Sequence, residues 1–208
     1  SRKRYSIVCS AESELGRENL DFHAIWYINL HSPLLYKTPV YALIEKVRGD
    51  FLMERTFFAI KPDAVKRGLI GRIIKRVENK GYKIVGLKMV HPTLEMAKKH
   101  YAEHEGKSFY PELIKYITSG PIIAMVVEGK NVIEGTRHMM GSTVPNSAEV
   151  GTIRADFGMT KECNVVHGSD SIESAEREIA IYFKPEELCE DWHTMMELVL
   201  EAQNGTLE

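Results

Sequence analysis

At 208 residues, with a net charge of −2 and 44% hydrophobic residues, the chain has room for one domain plus an extension. Its near-neutral balance argues against a dedicated nucleic-acid binder, and no apolar run is long enough to span a bilayer. Cys9, Cys163 and Cys189 show neither metal-like nor disulfide-like spacing, which fits a reducing, cytoplasmic compartment.

Residues 1–52 read differently from the rest. The cationic start Ser1-Arg2-Lys3-Arg4 is followed by acids and lacks the apolar core and cleavage pattern of a targeting segment. Phe22, Ile25, Trp26, Tyr27, Ile28 and Leu30 make an aromatic patch broken by Pro33 and Pro39, without sustained periodicity. Met53-Glu54-Arg55-Thr56 resembles a natural start, so 1–52 is expected to be an N-terminal extension, native or joined upstream in cloning. Residues 53–201 form the main domain, and 202–208 a loose polar tail.

Thr56 to Ile60 is the first core strand. Pro62 opens a helix with Asp63 in its acidic first turn, and Lys61 stands at the strand–helix junction, where it can meet a phosphate. Ile70, Ile73, Ile74 and Val77 give a helix over Leu69 to Asn79 that Lys80-Gly81 closes. Tyr82 to Val90 alternates as a half-buried strand. A helix from Pro92-Thr93 through Tyr101 and His104, and a second over Phe109 to Ile117, form a hairpin. Ile122 to Val127 is a fully apolar strand. Asn131 to Met140 is helical, Gly141 to Gly151 is a loop, and Thr152 to Phe157 is a short turn or helix. A central strand follows, then a helix through Phe183 and a last helix near Trp192 to Leu200. With the hairpin and loop removed, the order is β-α-β then β-α-β. This is an α+β, ferredoxin-like sandwich: a four-stranded antiparallel sheet with helices on one face.

The most informative stretch is Asn164-Val165-Val166-His167-Gly168-Ser169-Asp170-Ser171. It reads as a strand, a tight turn at which Gly168 takes an unusual backbone angle, and a helix start rich in N-cap residues. A histidine at a strand end facing a helix N-terminus sits in a field that favours anions. Glu178 lies two turns into that helix and leans back toward its start. Its carboxylate can accept one ring N–H and leave the other nitrogen as a nucleophile. With an unperturbed pKa near 6.5, His167 is mostly neutral at pH 7 without strong tuning.

Together, Lys61-Pro62-Asp63, Arg137, Arg154 and the 164–171 string make Glu54 to about Glu201, nearly three-quarters of the chain, resemble the nucleoside diphosphate kinase family. The resemblance implies transfer of the γ-phosphate of a nucleoside triphosphate to a nucleoside diphosphate, in two half-reactions through a phosphohistidine. By the same resemblance His167 is the nucleophile, Glu178 orients it, and Ser169 places a hydroxyl beside the pair. Lys61, Tyr101, Arg137, Thr143, Arg154 and Asn164 match positions that hold the nucleotide, and Phe109 matches the aromatic under the base. This inventory suits phosphoryl transfer, which needs positioning and spread positive charge. Stacking accepts any base, so broad nucleobase tolerance follows.

The resemblance also implies Mg²⁺ held mainly by phosphates and water. Asp170 is then either an outer-sphere contact or an N-cap. The loop Gly141 to Gly151, with Pro145, resembles a subunit-contact loop and implies a homo-oligomer, a hexamer rather than a tetramer. Lys161 stands where a small apolar residue often closes over the base, and Cys163 where a polar residue is common. The competing readings are a non-catalytic nucleotide-binding or regulatory module on the same fold and a nucleic-acid binder with a basic arm, which the charge balance disfavours.

Overall fold

Two apolar runs make the middle of the sheet. In the computed structural model, which describes residues 53–195 and Leu198, Met53–Ile60 forms β1 and Ile122–Lys130 forms β3. They pair antiparallel with Phe58 opposite Met125. Phe57 to Ile60 and Ile122 to Val127 are buried throughout, as a strand covered on both faces requires. Lys83–Val90 (β2) pairs with β3, and Val166–Gly168 (β4) pairs with β1. The order β2-β3-β1-β4, all antiparallel, is the expected ferredoxin-like arrangement.

The helices are α1 (Pro62–Lys66), α2 (Ile70–Asn79), α3 (Leu94–His100), α4 (Tyr110–Ile117), α5 (Val132–Met140), α6 (Ile153–Phe157) and α7 (Ile172–Tyr182). Their ends follow the sequence signals. Thr93 and Ser171 cap α3 and α7 by accepting from Met96 N at 3.2 Å and Ser174 N at 3.1 Å. Gly81, at φ +85°, follows α2 in the left-handed conformation that stops a helix. Thr152 to Phe157, open between turn and helix, resolves as helix α6 with Thr152 as its cap.

Helices cover both faces of the sheet, not one. On the first face Ile73 and Val77 of α2, Val132 and Met140 of α5 and Ile153 of α6 pack on Phe58, Ile60, Met125 and Val127. On the second, Ala97 of α3, Ile114 and Ile117 of α4 and Tyr182 of α7 pack on Phe57, Ala59, Ala124 and Val126. The inserted α3–α4 hairpin supplies much of that second layer, a consequence of topology that helical periodicity does not encode.

Three further differences have local causes. The His167 strand is three residues long and lies at the sheet's edge rather than its centre, so among the described residues one side of it pairs with no strand. In β2 the alternation breaks at a bulge between Ile84 and Gly86. One extra residue reverses the faces beyond it, so Leu87 and Met89 are 51% and 59% exposed. Trp192, His193 and Thr194 are not helical, while Met195 and Leu198 are; the rest of the expected last helix, the 1–52 extension and the 202–208 tail lie outside the described residues.

Candidate active site

The site is built where β1, β4 and the start of α7 meet. Register places His167 opposite Ala59, next to Ile60 and then Lys61, so the end of one strand delivers the lysine beside the histidine strand. The Lys61 amide donates to Val165 O at 2.8 Å. Its ammonium donates to Asn164 Oδ1 at 2.6 Å, and Asn164 Nδ2 donates to Lys161 O at 2.8 Å and Thr143 O at 3.3 Å. Lysine, asparagine and the loop before β4 are thus one hydrogen-bonded unit.

The unusual backbone angle in this stretch belongs to Val165, not Gly168. Val165 is fully buried at φ +60°, an outlier for a β-branched residue. Val166 N bonds Asn164 O at 2.7 Å across it, closing a strained three-residue turn. Such a conformation costs about 1–3 kcal/mol and persists only where its surroundings enforce it. Here Arg154 does so: it donates from Nε to Asn164 O (3.3 Å), from Nη2 to Val166 O (3.0 Å) and from Nη1 to Gly141 O (2.9 Å). Two of its five N–H groups brace the turn, a third holds Gly141 O, and two remain for an anion. Gly168 is closely packed: a Cβ there would stand 2.9 Å from Met140 Sδ, so that side chain would have to shift.

His167 Nε2 is 2.9 Å from Glu178 Oε2, and the same oxygen accepts from Ser169 Oγ at 2.7 Å. A carboxylate only accepts, so Nε2 carries the proton and Nδ1 keeps its lone pair. The tuning that the sequence did not require is present. Burial first, then the cations Lys61, Arg154 and Arg137, push the imidazole down to about 3. His167 is therefore neutral throughout the physiological range. Burial raises the Glu178 carboxyl above its ordinary value, against the pull of His100, the Ser169 hydrogen bond and Arg177. Burial, then Arg154, brings Lys61 down to about 7, and burial, then Arg137, brings Arg154 down to about 10. These are cations held in a dry, mutually repulsive group, a state an arriving phosphate relieves.

The remaining expected residues surround this group. Exposed Arg137 lines a cavity of about 420 Å³ with Ile133, Glu134, His138 and Asp170. Asp170 is exposed and is not the N-cap, since Ser171 holds that position. Tyr101 is buried with an unpartnered hydroxyl, and its ring lies 6.4 Å from that of His167. Phe109 is 51% exposed, edge-on to His104. Thr143 and Lys161 are exposed, and their carbonyls hold Asn164.

One residue at the centre escaped sequence reasoning. His100 is buried, its ring 4.5 Å from that of His167. It follows Lys98 and Lys99 on α3 and so reads as part of a solvated basic run; only its adjacency to Tyr101 hinted otherwise. Among the described residues, His100, His167 and Glu178 form the one group with metal-ligand spacing, their ligand atoms all within 4.8 Å. Two nitrogens suit a hard divalent cation poorly, and Lys61, Arg137, Arg154 and Arg177 all oppose added positive charge there.

The comparisons with known proteins point to one family. The family model described as nucleoside diphosphate kinase matches residues 54–188. The nucleoside diphosphate kinase of Desulforamulus reducens is 59% identical over 136 residues, covering 65% of this chain and 91% of that protein. That of Moorella thermoacetica is also 59% identical over 136 residues, covering 65% and 98%. Among solved structures, a nucleoside diphosphate kinase family protein from Babesia bovis superposes with a TM-score of 0.68 at 44% identity, covering 71% of this chain and 99% of that one. The Halobacterium salinarum nucleoside diphosphate kinase in complex with CDP gives 0.67 at 45% identity, covering 76% and 100%. A partly buried histidine on a buried carboxylate among cations, on this sheet and with these relatives, leads to one conclusion: the chain belongs to the nucleoside diphosphate kinase family.

Proposed function

We propose that His167 is the phosphoryl carrier by which this kinase moves the γ-phosphate of a nucleoside triphosphate onto a nucleoside diphosphate. The observation that carries this reading is the 2.9 Å contact between His167 Nε2 and Glu178 Oε2, which leaves Nδ1 as the only nucleophilic nitrogen. In the first half-reaction the Nδ1 lone pair forms the N–P bond while the bond from phosphorus to the β–γ bridging oxygen breaks and the diphosphate leaves. The Nε2 proton stays in place, and Glu178 balances the positive charge that grows on the ring. The second half-reaction is the reverse, with a different diphosphate as acceptor.

Lys61, Arg137 and Arg154 answer the charge on the transferred group, which is the main demand of this chemistry. Asn164, Thr143 and Tyr101 position sugar and phosphates. Phe109 offers its exposed face to any base, so nucleobase choice is broad. The CDP bound by the Halobacterium relative is consistent with such a site. The His167 side chain is only 22% exposed, which limits water's access to the phosphohistidine.

The family's reaction needs a divalent metal. Mg²⁺ fits this site if it arrives on the nucleotide: Asp170 and Glu134 are the carboxylates lining the cavity beside Arg137, and Asp170 would reach the ion through water. When bound, the ion neutralises β- and γ-oxygens. The family is generally oligomeric. A hexamer is our reading here, supported by the fully exposed Val150 in the contact loop and by the exposed side chains of Leu87 and Met89 on β2. Among the described residues no helix is long and apolar enough to cross a membrane, and a cytoplasmic setting is proposed with it.

The test is incubation with γ-labelled ATP, followed by acid and base treatment and by ATP–GDP exchange. An acid-labile, base-stable label that His167→Asn abolishes together with exchange is the expected result. A fully active His167→Asn would overturn the reading, and nucleotide binding without exchange in the intact protein would favour a non-catalytic module.

A further inference from the structure

Glu178 has two oxygens with different surroundings. Oε2 accepts from both His167 and Ser169. Oε1 has His100 Nε2 and Arg177 Nη2 each at 4.0 Å. Arg177 is exposed and divides its charge with Glu103 at 3.9 Å, while another of its nitrogens donates to His100 O at 3.3 Å. His100 is 4% exposed, and its Nδ1 has no partner. Phe57, Tyr101, Tyr182 and His167 wall its ring at centroid distances of 4.5 to 5.7 Å, mostly edge-on. A ring packed on all sides with one nitrogen orphaned carries a cost that a role for its other nitrogen would offset, since an unsatisfied buried polar atom is costly.

We infer that His100 is a positioning residue: a neutral imidazole whose Nε2–H is aimed at Glu178 Oε1 and closes on it as the phosphoryl group moves to His167. This rests on the assignment of His167 as the phosphoryl carrier. The driving force is charge. In the free site Glu178 already serves two donors through one oxygen, and 4.0 Å is too long for a hydrogen bond. Once Nδ1 attacks, the His167 ring turns cationic and Glu178 must hold a full negative charge in a buried place. A third donor on the idle oxygen stabilises that state without bringing a second positive charge next to the imidazolium, which a lysine or arginine at this position would do. Burial first, then His167, outweighs the upward pull of Glu178 and with Lys61 and Arg177 holds His100 well below its ordinary pKa, so its ring stays uncharged.

Two measurements test this on the full-length protein. Long-range ¹H–¹⁵N NMR of the wild type at pH 7 reads the tautomer directly. The neutral Nε2–H form is expected at His100; an Nδ1–H or a cationic ring overturns the inference whether or not any variant folds. Single-turnover phosphorylation by ATP is then compared among wild type, His100→Leu and His100→Gln. The leucine variant is expected to phosphorylate about 10-fold more slowly with ATP affinity unchanged. Its acid limb should move to higher pH, because Glu178 loses a group that favours its charged form while Arg177, His167, Ser169 and Asp170 still face it. The glutamine, which restores an N–H, should return the rate to within about 3-fold. Wild-type kinetics and pH profile in the leucine variant, or an equal loss in both variants, would overturn the inference and leave the phosphohistidine standing. Failure of the wild type itself to label would instead remove the carrier assignment.

Discussion

Glu178→Gln isolates what the carboxylate's charge does at His167. The amide keeps the length and one acceptor oxygen, so geometry is largely preserved while the charge is lost. Glu178 Oε2 holds two hydrogen bonds, of 2.9 Å to His167 and 2.7 Å to Ser169. Hydrogen bonds to a charged group are worth about 1.5–3 kcal/mol, roughly twice a neutral pair, so neutralising the acceptor removes about 1–2 kcal/mol at the histidine as its ring becomes cationic. At 1.36 kcal/mol per decade that slows phosphorylation roughly 5- to 30-fold. Rapid-quench single turnover with γ-labelled ATP measures the rate, and equilibrium binding of a non-hydrolysable triphosphate separates affinity from chemistry. Affinity should not change, because Glu178 faces the ring and not the nucleotide. Folding stability should hold or rise, since burial already disfavours the charged carboxyl. A wild-type phosphorylation rate, or a loss confined to binding, would refute the orienting role.

Three other outcomes follow from the same structure. With Lys61 near 7 in the free protein, the amine is largely neutral at pH 8, and an arriving triphosphate restores its proton; calorimetry in buffers of different ionisation enthalpy should show proton uptake that Lys61→Gln abolishes. His167, at about 3, and His100 have folded-state pKa values below the unfolded value near 6.5. Their contribution is therefore absent above about pH 6.5 and turns destabilising as pH falls toward 3, by up to about 1.4 kcal/mol per pH unit for each group. Glu178, with its raised pKa, works in the opposite sense. The denaturation midpoint should drop between pH 6.5 and 4.5, and His167→Asn should flatten that slope. Gly168→Ala puts a methyl 2.9 Å from Met140 Sδ and should lower stability by about 1–3 kcal/mol, read by urea denaturation, with slower phosphorylation as β4 shifts.

The sequence by itself determined the order of elements, because periodicity, caps and breakers are local: Thr93, Ser171, Pro62 and Gly81 act on backbone within a few residues. It also determined the chemistry, since the 164–171 string and Glu178 eleven residues after His167 lie on adjoining strand and helix. Tertiary structure decided whatever depends on residues far apart in the chain. The bulge that turns Leu87 outward, the second helical layer and the edge position of β4 follow from which strands pair. The strain at Val165 exists because Lys61 and Arg154, distant in sequence or across a loop, enforce it. His100 sits among lysines in sequence, and only the packing of α3 against α7 brings it to Glu178. The depth of the His167 shift is likewise collective: burial of the ring combines with three cations from separate elements, the buried Lys61 and Arg154 and the exposed Arg137.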